Sequence, residues 1–81
     1  MRVSTERKFD DATKAIELVE KKFTIGTEES KSILNHLIAG GQMSSWGLGN
    51  AVTRYAQDVE SYDRSTELES IGFLVMNNNW N

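Results

Sequence analysis

The sequence predicts an all-α fold, a small antiparallel bundle of three to four helices. Three observations carry that expectation. Apolar residues recur at spacings of three and four along most of the chain, and no segment sustains the alternation of a half-buried strand. The chain has no proline, and Gly26 and the Gly40-Gly41 pair fall between the apolar stripes. At 81 residues there is room for one domain, 1–81, and for short connections that make successive helices antiparallel neighbours.

The first helix is expected from about Thr5 to Phe23. Phe9, Ala12, Ile16, Val19 and Phe23 form a narrow stripe, widened slightly by Ala15 and Leu18. Lys14 with Glu17, and Glu17 with Lys21, are surface pairs at helical spacing. Gly26 suits a left-handed cap, and Lys21-Lys22 complement the negative end of the helix dipole. The second helix is expected to begin at Thr27 as N-cap, with Glu28 and Glu29 in the positive first turn. Ile33, Leu34, Leu37 and Ile38 give it an apolar face, and Gly40-Gly41 stops it.

Ser44 or Ser45 caps a third helix that runs to about Val59 or Ser61, with Leu48, Ala51, Val52, Tyr55 and Val59 on one side. A break is expected near Ser61-Tyr62-Asp63. Asp63 then caps a fourth helix from Arg64 to Met76, with Leu68, Ile71, Leu74 and Val75 inward. Gly72 is a soft spot there or marks its end. Helices three and four could equally be one long bent helix. Residues 77–81, Asn77-Asn78-Asn79-Trp80-Asn81, read as an irregular polar tail.

Composition excludes several classes of function. No cysteine is present, so there is no disulfide framework and no thiolate metal site, which favours a reducing, cytoplasmic setting. Met1-Arg2-Val3-Ser4-Thr5 leads into charged residues, so no secretory leader is expected, and no apolar run is long enough to cross a membrane. The net charge of −3 is uneven. Residues 1–23 carry six Lys/Arg against five Asp/Glu, and residues 24–81 carry three against seven. The cations Arg2, Arg7, Lys8, Lys14, Lys21 and Lys22 lie among acids, which is the pattern of a solvated helix face.

No catalytic constellation emerges. Asp58, Glu60, Asp63, Glu67 and Glu69 lack a metal-loop spacing and a second histidine, and read as a charged surface. His36 is the single histidine and sits beside an apolar face, where an exposed or edge-packed role is expected. Scattered serines with one histidine make no nucleophile triad. The expected catalytic, metal and cofactor sets are therefore all empty.

The most unusual stretch is Ser45-Trp46-Gly47-Leu48-Gly49-Asn50-Ala51-Val52-Thr53-Arg54-Tyr55. Two glycines in a helix cost about 1 kcal/mol each relative to alanine. They lack the preceding strand and third glycine of a dinucleotide loop and the Gly-Lys-Ser/Thr end of a P-loop. They suit close approach of another helix, or of Trp46, to the backbone. Asn50, Arg54 and Gln57 could present a polar surface. Trp46, Tyr55, Tyr62 and Trp80 are large amphipathic aromatics of the kind found in both cores and interface hot spots.

Ser45-Trp46-Gly47 followed by Asn50-Ala51-Val52-Thr53-Arg54-Tyr55 resembles the C-terminal part of a phage/plasmid-like protein family of unknown function, the DUF932 group. Tyr62-Asp63-Arg64-Ser65-Thr66-Glu67-Leu68-Glu69 resembles its follow-on helix, so the likeness covers residues 44–72. Proteins of that family are much longer, so the resemblance implies an excised C-terminal domain or a truncated product from a phage, prophage or plasmid in a bacterial cytoplasm. It brings no catalytic residues.

The resulting expectation is a non-enzymatic interaction domain that binds a protein partner or a second copy of itself. Trp46, Asn50, Arg54, Tyr55 and Trp80 are the candidate contact residues. Two alternatives stay open: an accessory domain in phage DNA metabolism with weak nucleic-acid binding, and a small phage inhibitor of a host defence protein.

Overall fold

A computed structural model describes Phe9 and residues 11–77 of the chain. Trp80 and the other tail residues after Asn77 lie outside the described residues, as do residues 1–8 and 10. The architecture is all-α: α1 (Ala12–Phe23), α2 (Thr27–Gly40), α3 (Ser45–Asp58) and α4 (Tyr62–Met76). The bundle of four separate helices matches the expected fold class. Successive helices pack against one another, and the α3–α4 contact is the most extensive.

The helix ends refine the sequence reading. The first helix starts at Ala12, not near Thr5, because Asp11 is extended and its carboxylate accepts the Thr13 amide at 2.8 Å. Phe9 is therefore outside the helix, and its N–H donates to the Met43 carbonyl at 3.0 Å. The left-handed cap after α1 is Thr24, with φ of 56°, and not Gly26. The Thr24 and Ile25 amides both donate back to the Glu20 carbonyl, which drives Ile25 into the core. Burial of Ile25 offsets the strain of a β-branched residue at positive φ. Gly26, extended, is then the N-cap of α2, and Thr27 is its first residue. Glu29 takes the place of a capping side chain by accepting the Gly26 N–H at 2.9 Å.

Gly41 takes the left-handed position after α2 (φ of 72°), as its sequence context requires. Ser44 caps α3 by accepting the Gly47 amide at 3.2 Å. Chain continuity breaks at Val59-Glu60-Ser61, so α3 and α4 are two helices. Ser61, not Asp63, caps α4; Asp63 instead sits in the first turn, where its charge meets the positive end of the helix.

The core is built from Ile16, Val19, Ile33, Leu37, Leu48, Val52, Leu68 and Val75, with Ala15, Ala51 and Ala56 between them. Three residues expected inward are outward: Leu18, at the edge of the α1 stripe, is 40% exposed, and Ile38 and Leu74 join it. Ile38 is 63% exposed and Leu74 is 40% exposed, because each follows a buried residue (Leu37) or precedes one (Val75) by about 100° of helical turn.

Gly72 lies inside α4 and does not mark its end. A β-carbon on Gly49 would lie 2.5 Å from the Gly72 carbonyl oxygen and 2.5 Å from the Met76 nitrogen. One on Gly72 would strike the Thr53 methyl and come within 2.9 Å of the Gly49 carbonyl oxygen. Backbone therefore meets backbone along this seam. Ser65 Oγ donates to the Ala56 carbonyl at 2.7 Å at its other end, which fixes the two helices as antiparallel. Gly47 is equally tight, but against the Gln42 carbonyl in the turn before α3.

Candidate functional site

Trp46, Asn50 and Arg54 recur every four residues, so they rise along one side of α3 as a stripe. The side of α3 that carries Gly49, Val52, Thr53 and Ala56 is taken up by α4 and the core. The stripe faces the C-terminal half of α2 instead. Between them lies an open groove of about 510 Å³, lined by His36, Leu37, Ala39 and Gly40 of α2, by Gln42, and by Trp46, Gly47, Asn50, Ala51 and Arg54 of α3. Four of its lining residues, Ala39, Gly40, Gly47 and Ala51, are small.

The polar groups of this groove differ in their engagements. The His36 Nε2 contacts Asp58 Oδ2 at 3.1 Å, linking α2 to the last turn of α3. Asp58 is one turn beyond Arg54, and no ion pair joins the two. Among the described residues, the side chains of Trp46, Asn50 and Arg54 make no hydrogen bond or ion pair. Trp46 is 47% exposed, which is unusual for so large an apolar surface. The groove thus offers an aromatic face, an amide and a guanidinium in a row, none of them paired among the described residues.

The other candidate residues are placed elsewhere. Tyr55 is half-buried against the core, on a different side of α3 from Arg54. Burial pushes its phenol pKa up, and the nearby charge of Glu29 adds to the effect. Thr53, next to the seam, donates its hydroxyl to the Asn50 carbonyl at 2.8 Å and turns its methyl toward Gly72. Gln57 is exposed and does not line the groove. The contribution of His36 and the α2 wall was not legible from spacing along α3, since it depends on how two helices cross.

A second polar cluster is structural in character. Arg64, at the start of α4, reaches across to α2, donating from Nε to Glu29 Oε2 at 2.9 Å and from Nη2 to Glu29 Oε1 at 2.5 Å. It also donates to Glu67 at 2.5 Å and to the Thr24 carbonyl at 3.5 Å. The hydrogen bonds from Arg64 hold the Glu29 carboxyl below its ordinary value, against the opposing effect of burial, and Glu29 in turn raises Arg64. One guanidinium thereby ties the end of α1 and the starts of α2 and α4 together.

Of the acidic residues 58–69, Asp58 and Glu67 are engaged in these two contacts. Among the described residues, no three His, Asp or Glu side chains converge to hold a metal ion. No described helix is long and apolar enough to cross a membrane. Comparison with protein-family models, with curated proteins and with solved structures found no match to this chain.

Proposed function

We propose that this chain is a non-enzymatic helical interaction domain that works through protein–protein contacts, using the α2–α3 groove. The observation that carries this reading is the row of Trp46, Asn50 and Arg54: a large half-exposed aromatic and two polar side chains line a single groove, without side-chain hydrogen bonds or ion pairs among the described residues. Trp and Arg are the residue types most enriched among interface hot spots. Exposed Ile38, on the next position of α2 after the buried Leu37, adds apolar surface on the same helix.

A phage, prophage or plasmid setting belongs to the same proposal. It rests on the resemblance of residues 45–55 to the C-terminal block of the phage/plasmid-like family. The cytoplasm of a bacterial host is the corresponding location.

Site-specific photo-crosslinking in bacterial cells tests the reading. A photoreactive amino acid at position 46 should give a discrete crosslinked product, absent when the same group is placed at the exposed Glu69 on α4. Absence of any product from positions 46 and 38, in folded protein, would overturn it.

A further inference from the structure

The groove has a polarity along its length that specifies its occupant more closely. Trp46 lies at one end and Arg54 at the other, eight residues apart on one helix, hence about 12 Å apart along the axis. Asn50 stands midway, about 6 Å from each. The guanidinium is the one cationic side chain lining the groove besides the titratable His36, and His36 is engaged with Asp58. A single free cation matches a single carboxylate. It does not match a phosphodiester backbone, which needs several cations, and the net charge of −3 repels such a polyanion further. The groove is only partly enclosed, which suits a segment of chain more than a fully engulfed small molecule.

We propose that the α2–α3 groove docks a short extended segment of a partner protein that sets an apolar side chain on Trp46 and a carboxylate on Arg54. This rests on the interaction-domain reading and adds the partner's chemistry to it. An extended chain advances about 3.3 Å per residue, so a span of about 12 Å corresponds to about four residues. Residues four apart in an extended segment also project to the same side. The recognised pattern is therefore an apolar residue followed or preceded by an acid at the fourth position. Asn50, with both a donor and an acceptor on its amide, sits opposite the peptide group between them and can pair with the segment's N–H and C=O. The planar guanidinium presents two parallel donors to the carboxylate.

A peptide array reads the proposal directly. Blocked peptides on a Ser/Gly background carry one Leu or Phe and one Glu at every separation up to about six positions. The full chain, labelled and confirmed folded by circular dichroism, should bind best at a separation of four. Replacing Glu by Gln in the peptide should weaken binding about tenfold, and so should Arg54→Ala or Arg54→Gln in the protein. Arg54→Lys should retain part of the affinity, because the charge survives while the bidentate geometry is lost. Tyr62→Ala, exposed but outside the groove, should bind like the parent. Binding that ignores the acid or its separation would overturn the proposal, as would a silent array or displacement of the peptides by an oligothymidine at low salt. A crosslinked partner at position 46 combined with a silent array removes only the peptide chemistry; loss of both removes the interaction-domain reading as well.

Discussion

The two sides of α3 have opposite designs. Toward α4, Gly49, Thr53 and Ala56 are small enough for backbone to touch backbone, and not even a β-carbon can be added at Gly49. Toward α2, the same fourteen-residue helix carries Trp46, Asn50 and Arg54 and leaves a groove of about 510 Å³. The difference teaches why a helix keeps glycines that weaken it. At Gly49 that cost, about 1 kcal/mol, is offset by a seam in which the α3 and α4 backbones touch. Toward α2 the buried Leu37 and Ala51 suffice for packing, and the edge beyond them carries large side chains.

Substitutions can break or sharpen this contrast. Gly49→Ala should have the largest effect, a loss of about 3 kcal/mol or more in urea unfolding, because the obstructing atoms are α4 backbone and cannot rotate away. A loss under about 1 kcal/mol would show that the seam is loose and that the two sides do not differ in kind.

Arg64→Ala comes next, at about 2 kcal/mol, since it strands the carboxylate of Glu29 in a half-buried site and unties the α3–α4 pair from α1 and α2. This contact also carries a pH signature. The Glu29 carboxyl is held below its ordinary value of 4.5, so its contribution is fully present above that pH and is lost as pH falls through the lower folded value. Glu29→Gln should therefore be less stable than the parent at neutral pH, with the gap closing in acid. A gap that stays constant down to strongly acidic pH would show that the pair contributes nothing through charge.

Thr24→Gly should act in the other direction. Relief of the left-handed strain is worth about 1–2 kcal/mol. Part of that is cancelled by the greater freedom of glycine in the unfolded chain, leaving a net gain below about 1 kcal/mol in melting or urea experiments. The smallest effects belong to the groove: Trp46→Ala and Arg54→Ala should each change stability by no more than about 0.5 kcal/mol. A larger loss at either position would mean that the groove side is packed after all.

Much of this fold was legible because helical periodicity is a local signal. The α2 stop at Gly41 and the Ser44 cap of α3 are chemistry confined to adjacent residues. Boundaries failed where two local signals competed: Gly26 is the obvious left-handed residue, but the buried Ile25 pulls the turn to Thr24. Asp63 and Ser61 both suit a cap, and the extended backbone at Ser61 decides between them. Gly72 could be noticed but not interpreted, because its reason lies on Gly49 and Thr53 of another helix. The stripe Trp46–Asn50–Arg54 is written in the sequence as a spacing of four, whereas the wall facing it, with His36, is written nowhere along α3.

The Gly49–Gly72 seam also sets an order of events. It joins two consecutive helices through a connection of three residues, Val59-Glu60-Ser61, so little loop entropy is lost in closing it. The α1–α2 connection is equally short, so it is the more extensive α3–α4 contact that makes this hairpin the expected nucleus on which α2 and then α1 condense. A defect in the seam would accordingly be felt on the way to the native state. Gly72→Ala should slow refolding more than it accelerates unfolding, a partition that stopped-flow chevron arms resolve directly.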